Sequence, residues 1–440
     1  AVMRARSADD VAVAMSVARS QSWPLNFRAG GSSLSGQAMA EGLLVDVRRH
    51  FREIEVLDAG ARVRVQPGAT IRQVNGALAR YRTKLGPDPA SEIACTIGGN
   101  VAENSGGVHC LKYGLTLHNV LRVKGFTVEG ERITFGSTAL DAPGYDLLAL
   151  VTGSEGMLAV TTEVTVRLLP RPQLARCIMA SFDDVRRAGE AVAAVIAAGI
   201  IPAGLEMMDG PMTRAAEDFV RAGYDVDAAA ILLCESDGTP EEVEEEVARM
   251  TEVLQGAGAT GIRVSASEEE RLRFWSGRKN AFPASGRISP DYMCMDSTIP
   301  RKRIADMLLT IAELERKYGL RCVNVFHAGD GNLHPLILFD DSREGELDRA
   351  KEFGAEILET SVEMGGTITG EHGVGLEKLN SMCVQFSPEE REQMFAVKRA
   401  FDPLGLLNPG KVIPTLQRCA EYGAMVVRGG KLPFPELERF

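Results

Sequence analysis

The sequence predicts an α+β protein in two main parts, and three observations lead there. Residues 1–170 mix short strand-like runs with glycine-dense loops, Pro170-Arg171-Pro172 interrupts the chain, and residues 175–395 alternate long helices with strands. Prolines that close a β-branched run mark a boundary because they cannot extend a strand. We therefore expect a first domain over 1–170, a second over 171–395, a short segment over 396–415 and a tail over 416–440 with little periodicity.

Residues 1–25 read as the end of a strand and then a helix, with Ser7 as N-cap and Asp9 and Asp10 in its first turn. Strands are expected at Leu43–Val47, Ile54–Leu57 and Arg62–Val65, a helix near 70–82, strands again near 120–136, and a β-branched strand over Val160–Leu168. In the second part the periodicity predicts helices near 183–199, 241–255, 301–318 and 343–364. Strands fall near 175–181, 229–235, 261–265 and 321–340. That order suggests an antiparallel sheet covered by helices on one face.

Bulk properties exclude several classes of function. The 440 residues carry a formal net charge of -11, which argues against nucleic acid, since phosphate binding needs a basic face. Part of that acidity, the Pro240–Glu246 run, reads as the first turns of a solvated helix, where carboxylates suit the helix N-terminus. Eight cysteines stand singly with no CxxC pair, so the chain holds neither a zinc ribbon nor an iron–sulfur ligand set. Scattered thiols fit a reducing, cytoplasmic compartment. No apolar run approaches the roughly 18 residues of a membrane span. The chain starts at Ala1 within a βα-like pattern, and an N-terminal piece of the natural protein is expected to be absent.

Two glycine motifs can be set aside. Gly256-Ala257-Gly258-Ala259-Thr260-Gly261 has dinucleotide-site spacing, yet it follows a helix and precedes a strand, the reverse of the required order. Gly405–Lys411 has Walker-A spacing, but Val412 lacks the hydroxyl for magnesium and Pro409 removes an amide.

Two other loops suit a large phosphate-bearing ligand. Closely spaced glycines let backbone amides approach a phosphate without Cβ interference. Arg28-Ala29-Gly30-Gly31-Ser32-Ser33-Leu34-Ser35-Gly36 adds a cation and three hydroxyls. A second stretch, Cys95 to Gly107, is polar and glycine-dense. Either alone reads more readily as a plain turn; two in one domain point to a dinucleotide with several contact points.

Three of the six histidines cluster toward the C-terminal end. His327 and His334 flank a turn between two apolar strands, so a hairpin brings them close together. Gly365–Gly375 supplies Glu371 and His372 side by side in a flexible loop. Two imidazoles and a carboxylate with an open position can bind a divalent metal (zinc, manganese or iron) that polarises a substrate oxygen. A hydrogen-bonded turn with a core histidine is the structural alternative.

The 28–36 loop, Pro87–Glu92, Ile97–Gly107 and Thr152-Gly153-Ser154-Glu155-Gly156 resemble the FAD-binding domain of the vanillyl-alcohol oxidase (PCMH) type. With the C-terminal motifs, the chain is similar from about residue 2 onward to glycolate oxidase flavoprotein subunits and to D-lactate and D-2-hydroxyglutarate dehydrogenases. The resemblance implies a two-part FAD-binding domain plus an α+β cap domain with an antiparallel, ferredoxin-like sheet, and a C-terminal segment, Asn408–Lys411, returning to the flavin domain. It implies FAD contacts at Gly30, Gly31, Ser32, Ser33, Leu34, Ser35, Gly36, Pro87, Thr96, Gly98, Gly99, Asn104, Gly106, Gly107, Glu155, Gly156 and Val160. To these we add Arg28 and Asn408. Ala29, Gln37 and Ala159 stand where the family usually has glycine, and a methyl at 29 or 159 would crowd a phosphate or the flavin ring. Apart from family-typical Cys95, His109 and Cys110, the loops offer no residue for a covalent link, so FAD is expected to be non-covalent.

The resemblance further implies His327, His334 and Glu371 as metal ligands, with His372 as the base, although the sequence leaves His372 open as a ligand too. Arg278, in Trp275-Ser276-Gly277-Arg278-Lys279, matches the segment that supplies a substrate arginine; a surface arginine on a helix is the bland alternative. Cys294-Met295-Asp296 occupies the region where hydroxyglutarate-type relatives carry a lysine, which favours a short 2-hydroxy acid. The implied reaction takes the hydroxyl proton to His372 and the Cα hydride to flavin N5, leaving a 2-oxo acid. Reoxidation then needs partner subunits, one an iron–sulfur protein, and a peripheral association with the membrane through them. The rival from another class is a metal-dependent hydrolase in which the glycine loops are merely turns; an inactive assembly subunit is a third.

Overall fold

The computed structural model describes residues 1–139 and 144–414, so the 416–440 tail lies outside the described residues. The chain divides into two compact units: one of residues 1–107, 114–171 and 371 onward, the other of residues 108–113 and 172–370. The chain re-enters the first unit at Glu371, well before the 396 expected, because the segment after Gly370 is bonded to that unit's glycine loops.

Two large cores carry the sheets of the first unit. Val2–Arg4, Leu43–Asp46 and Leu25–Arg28 form a parallel three-stranded sheet in that order. Helix Ala8–Gln21, capped by Ser7 as expected, lays Val11, Ala14, Met15 and Ala18 on it. Leu406 and Leu407 join that core, and Leu25 exchanges main-chain hydrogen bonds with Leu406 and Asn408, each 2.7 Å, so the C-terminal segment adds to the sheet. The second core lies under a five-stranded antiparallel sheet, ordered Ile54–Leu57, Arg62–Val65, Val160–Arg167, Val120–Phe126, Arg132–Gly136. Helix Ile71–Leu78, opened by a Thr70–Gln73 capping box, buries Ile71, Val74 and Leu78 there.

The glycine-dense stretch at 97–107 is only partly a loop. Ile97–Glu103 is helical despite Gly98 and Gly99, because Thr96 caps it and Ile97 and Val101 are buried in the second core. Tertiary burial there outweighs the glycine penalty of about 1 kcal/mol each.

In the second unit seven strands form one antiparallel sheet, ordered Gly261–Val264, Leu174–Phe182, Ala230–Gly238, Gly204–Asp209, Arg321–Phe326, Pro335–Phe339, Asp291–Cys294. The expectation of a sheet covered on one face is corrected: helices cover both. Gly210–Val220 and Glu268–Lys279 bury Met179, Ile231, Leu233, Val323 and Val325 on one face. Val185–Ala197, Pro240–Gly256 and Ile304–Tyr318 pack on the other. The signal was present in Ala230-Ile231-Leu232-Leu233-Cys234, an unbroken apolar run rather than an alternating one. Gly256 ends a helix and Gly261 starts a strand, so the dinucleotide-like spacing is a helix-to-strand turn. Among the described residues no helix is long and apolar enough to cross a membrane.

Candidate flavin cradle and histidine pair

In the first unit the two glycine loops meet through one side chain. Thr96 Oγ1 accepts hydrogen bonds from Gly99 N at 3.4 Å, within its own helix, and from Gly30 N at 3.2 Å. Arg28, at the end of its strand, lines a cavity of about 520 Å³ together with Gly31, Ser33 and Gly36. Gly31, Ser32 and Leu34 are exposed at the loop tip, while Ser35 and Gln37 are buried at its base. Two acceptors near this loop, Gln37 Oε1 and Glu103 Oε2, are buried with no hydrogen-bond partner among the described residues. A cation, exposed loop amides and a cavity suit a ligand that carries phosphates.

Other expected contacts do different work. The Glu155 carboxylate faces inward and accepts from Val374 N at 2.7 Å and from Gly375 N at 2.9 Å. Burial pushes that carboxyl up to about 7, against the pull of the two amides. Asn408 Nδ2 donates to the Glu155 carbonyl at 2.6 Å and to the Gln37 carbonyl at 3.3 Å, so its side chain ties loops together. Lys411 is buried and donates to Met39 O at 2.9 Å, which ends any Walker-A role. Val160 is buried in the first core, and Pro87 is buried as well. Asn104 caps its helix in a left-handed conformation, its Oδ1 accepting from Leu117 N at 2.9 Å. Gly106 N donates to the Glu371 carboxylate at 2.9 Å. Ala159 lies in an apolar cluster with Val151 and Leu158, and Ala29 packs on the first core.

In the second unit the hairpin brings His327 and His334 together, with ring centroids 5.0 Å apart. Each is backed by a carboxylate. Glu206 Oε1 lies 2.8 Å from His327 Nδ1, and Asp296 Oδ1 lies 3.4 Å from His334 Nε2. A carboxylate can only accept, so the proton of His327 sits on Nδ1 and Nε2 is the lone-pair nitrogen, the arrangement metal-ligating histidines use. Asp296 also accepts from Thr369 Oγ1 at 2.7 Å and Gly370 N at 2.9 Å. Two imidazoles this close, one with its tautomer set by Glu206, suit a divalent metal. Arg278 is neither at the surface nor alone: its Nε donates to Glu206 Oε2 at 2.6 Å and both side chains are 2% exposed. Glu206 and Asp296 were not singled out as metal-site residues from sequence. A glutamate inside the apolar strand Leu205-Glu206-Met207-Met208 was the available signal, since a buried charge demands a partner.

The potential covalent-link residues are occupied by structure. Cys95 is buried and its thiol is pushed up by that burial. In the second unit His109 Nε2 lies 3.0 Å from Glu235.

Comparison with known proteins agrees with both units. Residues 1–136 match the FAD binding domain family, and residues 171–412 match the C-terminal domain of FAD linked oxidases. The chain belongs to the FAD-linked oxidases. It is therefore an oxidoreductase whose first unit is an FAD-binding domain, and the hydrolase reading falls away. Among similar FAD-linked proteins, glycolate oxidase subunit GlcD of Escherichia coli K12 is 59% identical over 95% of this chain and 84% of that protein. The subunit of the same name from Bacillus subtilis is 36% identical over 94% of this chain and 88% of that protein. D-lactate dehydrogenase of Archaeoglobus fulgidus is 32% identical over 94% and 91%. The fold matches p-cresol methylhydroxylase with substrate bound, at a TM-score of 0.78 and 17% identity over 93% of this chain and 88% of that one.

Proposed function

We propose that this FAD-linked oxidase is the flavoprotein subunit of a multisubunit enzyme that oxidises glycolate, or another short 2-hydroxy acid, to the 2-oxo acid. The observation that carries it is the paired His327 and His334, each backed by a carboxylate, beside a buried arginine. That chemistry suits a substrate bearing a hydroxyl and a carboxylate on neighbouring carbons. The similarity to two glycolate oxidase subunits supports glycolate over D-lactate.

His327, His334 and Glu371 are assigned as protein ligands of a divalent metal, which would supply polarisation of the substrate oxygen. Arg278 keeps further N–H groups beyond the one given to Glu206, and these are assigned to the substrate carboxylate. His372 is assigned the hydroxyl proton, near-neutral basicity suiting imidazole to the task. FAD, when bound, supplies the acceptor for the substrate hydride. Non-covalent binding is supported by the buried Cys95 and the engaged His109. Arg28, the amides of Gly31 and Gly107, the serines of the first loop and the turns at Gly30, Gly98, Gly99 and Gly106, whose own amides are engaged within the protein, would hold it. Electrons then leave through partner subunits, an iron–sulfur protein among them, on the cytoplasmic side of a membrane.

Anaerobic flavin bleaching by glycolate, D-lactate and D-2-hydroxyglutarate tests the reading: glycolate is expected to bleach fastest. Bleaching by the dicarboxylate alone would overturn the substrate assignment. His372→Ala should keep FAD yet lose bleaching; unchanged bleaching would remove His372 from the reaction.

A further inference from the structure

The segment His372-Gly373-Val374-Gly375 is gripped from two sides by residues of the first unit. On one side the Glu155 carboxylate accepts from the amides of Val374 and Gly375. On the other, Gln37 Nε2 donates to the carbonyl of His372 itself at 2.6 Å. Gln37 is 4% exposed and Glu155 5%, so neither bond competes with bulk water. Between them the chain has no slack. Gly373 takes φ +80, and a Cβ there would stand 2.5 Å from Gln37 Nε2, 2.6 Å from Glu155 Oε1 and 2.7 Å from Glu103 Oε2. The next residue, Leu376, donates its amide to Ser35 O at 2.8 Å. Asn408 in turn holds the main chain of both Gln37 and Glu155.

We propose that Gln37 is a positioning residue: together with Glu155 it clamps the main chain of His372–Gly375 and so sets where the His372 imidazole is presented. The catalytic half of this statement rests on His372 as the base. Gln37 supplies the side-chain amide that reaches the His372 carbonyl in this grip, and a residue without a donor there would not hold that carbonyl. The clamp thus belongs to the end of the first glycine loop. One short segment then serves two ends: its glycines and serines line the cavity, and its last residue fixes the position of a catalytic side chain.

The test uses the full chain with FAD bound. Gln37→Met keeps the side-chain volume and removes the donor, and Gln37→Gly removes the side chain altogether. Both are expected to keep FAD. Hydrogen exchange in the peptide covering 372–378 should accelerate about tenfold, the size expected for one lost buried hydrogen bond. The limiting rate of flavin reduction by glycolate should fall about tenfold with the apparent substrate dissociation constant unchanged, since a small misplacement of a reacting group acts on the chemical step. Wild-type exchange in both variants overturns the clamp. So does loss of FAD with unaltered exchange, which would place Gln37 in the cofactor site alone. If instead His372→Ala reduces flavin normally while the Gln37 variants still accelerate exchange, the clamp stands and the base assignment fails.

Discussion

Glu206 Oε1 lies 2.8 Å from His327 Nδ1, while its other oxygen takes the Arg278 Nε–H at 2.6 Å. One carboxylate therefore sets the tautomer of a proposed metal ligand and neutralises a buried guanidinium. Removing it would strand a charge in the interior and free the imidazole to rotate.

Glu206→Gln should therefore weaken metal retention by about 10- to 100-fold, the usual effect of losing a carboxylate behind a ligating histidine. Metal analysis after dialysis against a graded chelator reads this directly. Glu206→Ala should in addition lower unfolding stability by about 3–5 kcal/mol, because Arg278 is left buried and unpaired. Equal metal content in all three proteins would show that the histidine pair is structural.

Lys398 holds the C-terminal segment by a similar logic. Its Nζ donates to Met157 O at 2.7 Å, Leu407 O at 2.7 Å and Asp402 Oδ2 at 2.6 Å. Burial draws the ammonium pKa down, and Asp402 opposes that. Lys398→Met should cost about 3–5 kcal/mol, and adding Asp402→Asn should recover part of it rather than double it. Urea unfolding of the two single variants and the double variant checks this; strictly additive losses would show the pair is not coupled.

Glu235 gives the second unit a pH dependence. Burial alone would raise its pKa, but hydrogen bonds and charge from His109 and Arg271 hold it down to about 2. A carboxylate lowered on folding contributes stability above its unfolded value near 4.5 and loses it as pH falls from there toward 2. The contribution is on the order of 3 kcal/mol at neutral pH. Glu235→Gln should be destabilised at pH 7 and show a flatter decline between pH 4.5 and 3 in denaturant titrations; a slope equal to wild type would remove Glu235 as its source.

Local pattern made much of the fold legible and long-range pairing did not. Ile54–Leu57 and Arg62–Val65 match the expected bounds because alternation and β-branching act within each strand. The hairpin at His327 was readable because both flanks and the turn are contiguous. Helix Ile97–Glu103 was not, since its glycines disfavour a helix that only Thr96 and the buried Ile97 and Val101 sustain. Arg278 and Glu206, or Gln37 and His372, are far apart in sequence, and no periodicity encodes such a partner. The first glycine loop was legible as glycine-dense, yet nothing local to Gln37 encodes its bond to His372.

Two adjacent glycines separate what folding needs from what the cofactor needs. A Cβ on Gly98 would stand 2.5 Å from Pro67 Cβ, whereas one on Gly99 would meet only Thr96 Oγ1 at 3.6 Å, an ordinary contact. Gly98→Ala should thus cost about 1–3 kcal/mol through overpacking. Gly99→Ala should fold without loss and gain up to about 1 kcal/mol of helix propensity. Nothing in the protein then explains why position 99 is glycine, but a phosphate brought against this turn would meet the new methyl. Gly99→Ala is expected to melt no lower than wild type when stripped of flavin, and to bind FAD at least about tenfold more weakly, roughly one lost hydrogen bond to a charged group. Fluorescence titration of FAD onto the stripped protein measures it. Wild-type FAD affinity in Gly99→Ala would place the phosphates away from this turn, on the Arg28 side of the cradle.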